Sequence, residues 1–186
     1  MCLILIAYRC DPDRPLIVAA NRDEFYARPA LAAHSWDDEP AIFGGRDLEA
    51  RGTWLAVSTT GRFAAVTNWT ENLDAPKPPG SRGDLPREFL SSGLSALDYV
   101  ETIHWVHYTG FNLIAFDGDD LVYTSNRTEE VRTLEPGIYG LTNTRLGDEW
   151  SKSVRGSRFL KECLNASAPV TLDDLMRPLV GLSLIH

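Results

Sequence analysis

The chain opens with two short apolar runs, Leu3 to Tyr8 and Pro15 to Ala20, separated by Arg9-Cys-Asp-Pro-Asp-Arg14. Asp and Pro between apolar runs are turn chemistry, so such a unit closes as an antiparallel hairpin. The pattern recurs. Trp54 to Ser58 and Phe63 to Trp69 flank Thr59-Thr-Gly-Arg62 with glycine at the bend, and Phe111 to Phe116 and Leu121 to Ser125 flank Asp117-Gly-Asp-Asp120. Gly137 to Thr142 reads as a further strand. Pairing between the first two hairpins is the simplest way to extend them into a sheet. A chain built from hairpins does not make the alternating βαβ units of a doubly wound fold.

Two other segments change period. From Asp84 to Val106 the apolar residues Leu85, Phe89, Leu90, Leu94, Leu97, Val100, Ile103 and Val106 fall mostly three or four apart, the helical spacing, with a break expected near Gly93. Trp150 to Leu164 reads as a final helix. The stretch from Asn21 to Pro40 reads as largely irregular, and residues 71–82 (ENLDAPKPPGSR), rich in proline and without an apolar period, as a loop or lid. Strands, helix, strands, helix predict an α+β layered fold.

Charge and cysteine content narrow the function. With 18 Lys+Arg against 26 Asp+Glu the net charge is -8, and the mean field of such a chain repels phosphate backbones and anionic lipid, which argues against a nucleic-acid partner. Cys2, Cys10 and Cys163 are an odd set, spaced unlike a zinc site, so a reducing compartment is expected and the cytoplasm is the default. The apolar start has no basic segment before it and breaks at Arg9, and no segment reaches the ~18–20 apolar residues of a membrane span. Sequons at Asn68, Asn126 and Asn165 matter only in a secreted chain.

Cys2 is the first candidate for chemistry. A small residue after the initiator Met permits methionine excision, which leaves a cysteine whose own α-amine, with an ordinary pKa of about 7.7–8.0, serves as general base for its thiol. The alternative for Cys2 is a small buried hydrophobe at the start of a strand. Asn21-Arg-Asp-Glu24 places four polar groups directly behind an apolar strand, a costly arrangement unless they pair or serve a site. Arg22 is suited to hold a thiolate or substrate carboxylate, and Asp23 to accept from a terminal ammonium, while a local salt-bridged turn with Glu24 in solvent is the other reading. Asn68 and Asn143 each close a strand, where an amide either stabilises an oxyanion or forms an Asx turn.

His104 and His107 have a spacing compatible with one helix face, but no third ligand is evident and no metal is expected. Asp117-Gly-Asp-Asp120 lacks the remaining ligands of a calcium loop and reads as a turn.

Together these segments resemble the NRDE family, proteins of the transport and Golgi organization 2 type. The resemblance rests on Met1-Cys2, Asn21-Arg-Asp-Glu24, Gly52-Thr-Trp-Leu-Ala-Val57, Gly61-Arg-Phe-Ala-Ala-Val-Thr-Asn68 and Ser81-Arg-Gly-Asp-Leu85. It continues through Gly110-Phe-Asn-Leu-Ile114, Ser125-Asn-Arg127 and Tyr139-Gly-Leu-Thr-Asn143 to Trp150. That family is similar to N-terminal-nucleophile hydrolases such as penicillin V acylases and bile salt hydrolases.

The resemblance implies a four-layer αββα sandwich and a single NRDE domain over residues 1–186. It implies Cys2 as nucleophile, Arg22 and Asp23 as its partners, and Asn143 and more loosely Asn68 as oxyanion donors; Asn21 and Glu24, which flank Arg22 and Asp23, are expected to bind substrate. The expected substrate is a small-molecule linear amide, with no cofactor. The alternative is a non-catalytic carrier of haem or lipid in the same cleft, with Cys2 or a histidine as axial ligand. Family members continue beyond the residue that matches His186, so the chain is expected to be truncated and to lack C-terminal strands.

Overall fold

The structure, a computed structural model, describes residues 2–70, 78–166 and 170–183. It divides into two compact units, one of residues up to Asp23 with Glu135 onward, the other of residues Glu24 to Leu134.

The first unit holds a sheet in the order β10-β1-β2, formed by Gly137–Leu141, Leu3–Tyr8 and Leu16–Asn21. All pairs are antiparallel, with Ile4 opposite Leu141 and Leu3 opposite Asn21. The expected hairpin across residues 9–14 is present, and Asp11 explains the turn: its Oδ1 accepts the backbone N–H of Asp13 and Arg14, each at 3.0 Å. Helices α3 (Ser151–Asn165) and α4 (Leu172–Ser183) pack on this sheet. Leu3, Leu5, Ala7, Ile17 and Ala19 join Leu160 and Leu179 in the core beneath them. The approach of α3 is close, because a Cβ at Gly156 would lie 2.7 Å from Leu5 Cδ2 and one at Gly140 2.9 Å from Ser153 Cβ.

The second unit is a seven-stranded antiparallel meander in chain order, β3 to β9. Its strands are Ala30–Ser35, Ile42–Asp47, Leu55–Ser58, Phe63–Asn68, Phe111–Phe116, Leu121–Ser125 and Glu130–Thr133. Helices α1 (Asp84–Ser92) and α2 (Ala96–Thr102) lie against it, and Ala64, Val66, Leu113, Ala115 and Val122 of the strands pack with Leu85, Phe89, Tyr99 and Val100 of the helices. The break near Gly93 is as expected: Gly93 takes φ 69°, the left-handed conformation a helix C-cap favours. Ser95 then caps α2, its side chain accepting from Asp98 N. The Asp117–Asp120 turn is closed by Asp117 Oδ1, which accepts from Asp119 N at 2.9 Å and Asp120 N at 2.8 Å.

Three expectations need correction. The hairpins β1–β2 and β5–β6 do not pair; they belong to different sheets. The stretch after Asn21 is not irregular throughout, since β3 forms from Ala30 to Ser35 with most of its side chains exposed and without the apolar–polar alternation that marks a half-buried strand. Strand β9 is likewise short and largely exposed. Residues 171–183, left without an element by the sequence reading, form α4 behind a capping box in which Thr171 Oγ1 accepts from Asp174 N and Asp174 Oδ2 from Thr171 N. Most of the loop read over residues 71–82 lies outside the described residues.

Candidate active site

Three strand ends of the first unit meet at Cys2. In β1–β10 the register pairs Ile4 with Leu141, and in β1–β2 it pairs Leu3 with Asn21. One and two residues further along, the chain reaches Arg22 on one side of Cys2 and Asn143 on the other. The backbone N–H of Cys2 donates to Asn143 Oδ1 at 2.8 Å. The thiol faces the backbone carbonyl of Asp23 at 3.9 Å, a long contact suited to sulfur. Cys2 thus has its nitrogen engaged by the segment after β10 and its thiol by the segment after β2.

Alternation along β1 puts Leu3, Leu5 and Ala7 toward the helices, and Asn21, opposite Leu3, shares that face. Its Nδ2 donates to Asp23 Oδ1 at 3.1 Å, so Asn21 braces the aspartate, while its own Oδ1 is buried without a hydrogen-bond partner among the described residues. Sequence reading took Asn21 for substrate binding; its observed contact is with Asp23.

Cys2 is half-buried, and burial is the main reason its thiol sits above its ordinary pKa. The negative charge of Asp23 pushes in the same direction and the positive charge of Arg22 against it. A thiol raised in this way is protonated at neutral pH, so a nucleophilic role requires a neighbouring base to take its proton.

The structure therefore brings Cys2, Asp23 and Asn143 together and sets Arg22 next to them along the chain. Asn68 and Glu24 belong to the second unit. Asn68 ends β6 opposite Phe111, and the Glu24 carboxylate accepts from Phe25 N at 2.9 Å. The strand behind Asn68 is held by a buried polar chain that the sequence reading missed. Asn112 Nδ2 donates to Thr67 Oγ1 at 3.2 Å and Tyr123 Oη donates to Asn112 Oδ1 at 2.9 Å. Its signal was available: Asn112 is the one amide inside the apolar run Phe111 to Phe116. Asn126, read from the sequence as a sequon and as part of the Ser125-Asn-Arg127 motif but given no role, is a hub. Its Oδ1 accepts from Phe111 N at 2.9 Å and its Nδ2 donates toward the carbonyls of Tyr108 and Thr109 at 3.3 Å.

His104 and His107 bracket a single 3-10 turn, Trp105–His107, instead of sharing the face of an α-helix. Their ring centroids are 5.5 Å apart. Among the described residues no group of three or more His, Cys, Asp or Glu is placed to hold a metal ion, and no helix is long and apolar enough to cross a membrane.

The family described as Transport and Golgi organisation 2, or TANGO2, matches residues 1–184. The chain belongs to the TANGO2 family. Its mouse relative, a Transport and Golgi organization 2 homolog, is 38% identical over 198 residues, which cover 97% of this chain and 70% of the relative. The Drosophila melanogaster Transport and Golgi organization protein 2 is 35% identical over 202 residues, covering 98% and 71%. Among solved structures the chain is similar to a Caenorhabditis elegans ortholog of N-acylethanolamine-hydrolyzing acid amidase, with a TM-score of 0.62 and 11% identity over 96% of this chain and 85% of that one. At that identity the likeness establishes fold alone, and the fold is the α+β N-terminal-nucleophile hydrolase fold that the sequence resemblance implied.

Proposed function

We propose that this TANGO2-family chain is a cysteine N-terminal-nucleophile hydrolase that cleaves a linear carbon–nitrogen amide bond through an acyl-enzyme. The observation that carries the reading is the Cys2 N–H to Asn143 Oδ1 bond at 2.8 Å, which aims the nitrogen that would be the catalytic amine. The fold supports it, since the similar solved structure is named as an amidase.

Excision of Met1 converts the Cys2 nitrogen to a free α-amine. In its neutral form that amine removes the thiol proton, and the thiolate attacks the amide carbon, giving a tetrahedral oxyanion. With Asn143 Oδ1 turned to the amine, its Nδ2 is the donor for that oxyanion. Collapse breaks the carbon–nitrogen bond, and the leaving nitrogen takes the proton from the α-ammonium. Water, deprotonated by the same amine, then hydrolyses the thioester and regenerates the thiol. Arg22 counters the effect of burial on the thiol, and Asp23, braced by Asn21, orients Cys2. Asn68 is the second asparagine assigned by the family resemblance, and Asn68→Ala tests it separately.

The test is an intact mass of purified protein, followed by incubation with a panel of fatty-acyl and aryl-acyl amides. The reading expects loss of the Met1 mass, an acyl adduct on Cys2, and product release absent in Cys2→Ala. Unaltered turnover in Cys2→Ala would sink it. No turnover by wild type, together with a Soret band on haem titration that Cys2→Ala abolishes, would support the carrier function instead.

A further inference from the structure

Helix α3 carries Lys152, Arg155, Arg158 and Lys161 against a single carboxylate, Glu162, in a chain whose net charge is -8. Ser153, Gly156 and Leu160 turn inward, as the close packing on β1 and β10 demands. The opposite face presents Val154, Arg155, Arg158, Lys161 and Glu162 to solvent, with Lys152 half-buried on the flank. The half-buried arginines Arg14, Arg46 and Arg87 are tied to carboxylates, Arg14 to Asp11, Arg46 to Asp38 and Arg87 to Glu39. Among the described residues no ion pair engages any of the four cations of α3.

Apolar side chains stand among these charges. Trp150, immediately before the helix, is 41% exposed, and Val154, one turn on, is 43% exposed. On α4, which packs against α3, Leu172 and Met176 are also exposed. The nearby carboxylates are Asp148, which accepts from Arg145 N, Glu149, Glu162 and Asp173, together with Asp174, which is occupied by Thr171 and Arg177.

We propose that this face of α3 docks the protein reversibly on an anionic lipid surface. Basic residues on the outward face of an amphipathic helix, with an aromatic residue at its boundary, match a charged headgroup layer over an apolar interior. A nucleic acid would use the cations but give nothing to Trp150 and Val154. The overall negative charge does not prevent docking. At physiological salt the Debye length is about 8 Å, so the field a headgroup meets is that of α3. This inference is independent of the amidase reading.

Sedimentation of the full chain with phosphatidylcholine vesicles, with and without phosphatidylserine, tests it. Binding is expected only to the phosphatidylserine vesicles and is expected to weaken as salt rises. Neutralising a cation is expected to lower the partition coefficient about fivefold, so Arg155→Gln with Arg158→Gln lowers it about 25-fold. Arg51→Gln, an exposed cation of the other unit, leaves it unchanged. Circular dichroism confirms that each variant is folded. Equal binding to neutral and anionic vesicles, unchanged partitioning in the double variant, or stronger capture by duplex DNA at the same salt would overturn the proposal.

Discussion

The backbone nitrogen of Cys2 and the side-chain oxygen of Asn143 meet at 2.8 Å although 141 residues separate them in the chain. The contact exists because β10 returns alongside β1 with Ile4 opposite Leu141, so that the residue before β1 and the one two past β10 reach the same end of the sheet. Removing that asparagine has a defined consequence. Asn143→Ala is expected to lower kcat by about 10²–10³ on any amide the wild type cleaves, the usual effect of losing an oxyanion donor. KM should change much less. Steady-state kinetics check this, and an unchanged kcat would remove Asn143 from the mechanism.

The thiol of Cys2 stands above its ordinary value because it is buried. Cys2 alkylation by iodoacetamide, followed by peptide mass spectrometry, should therefore lag behind that of exposed Cys10 at neutral pH and gain on it as pH rises past about 8.5, the ordinary thiol value. Cys2→Ser replaces the thiol with a hydroxyl of far higher pKa and is expected to be inactive over the same range. If Cys2 were instead alkylated fastest at pH 6, burial would not be what governs it.

Asp38 is held by Arg46 through a bidentate contact at 2.5 and 2.8 Å, and the guanidinium lies 4.2 Å over the ring of buried Trp36. The hydrogen bonds from Arg46 lower the Asp38 carboxyl to about 2. Its folded pKa lies below the unfolded value of about 3.9, so its contribution to stability is complete above that value and is lost as pH falls toward 2. Asp38→Asn is accordingly expected to remove part of the slope of melting temperature against pH between 4 and 2. Carboxyl chemical shifts measured across that range follow the titration directly.

Gly52 lies against Gly83, and a Cβ there would sit 2.4 Å from the Gly83 carbonyl oxygen. That oxygen is already bonded to Thr53 N at 3.0 Å, and backbone cannot step aside as the end of a side chain does. Gly52→Ala is therefore expected to destabilise by about 1–3 kcal/mol, the usual cost of overpacking. Gly61→Ala, with nothing within 4 Å but φ +79°, should cost only the strain of a left-handed residue, about 1–2 kcal/mol. Urea unfolding of both variants separates the two causes.

Asn126 satisfies Phe111 N and shares its amide among the carbonyls that follow the 3-10 turn. Asn126→Ala leaves a buried donor unpaired at the start of β7 and is expected to cost about 1–3 kcal/mol. A loss well below that range would show that water replaces the amide.

Local chemistry was readable in the chain wherever one segment carried the whole signal. The hairpins β1–β2, β5–β6 and β7–β8 follow from apolar runs around Asp or Gly turns, and the α1–α2 break from a glycine that can take φ 69°. Strand β3 was not readable, because it lies at a sheet edge with exposed side chains and needs no apolar alternation. The Cys2 neighbourhood was legible only in part. Cys2 and Asn143 were singled out by residue type and by family likeness, but the contact of the thiol with the Asp23 carbonyl, and the turning of Asn21 toward Asp23, depend on coordinates that no local pattern encodes.

The sequence by itself determined the antiparallel hairpins, the two helical periods and the choice of an α+β architecture, because turn chemistry and apolar spacing act over a few residues. The tertiary structure decided which hairpin joins which sheet, and which asparagine reaches the nitrogen of Cys2. Those outcomes depend on strand pairing across more than a hundred residues, where the energy comes from burying whole sheet faces and where a shift of one residue in register would carry Asn143 to the opposite face.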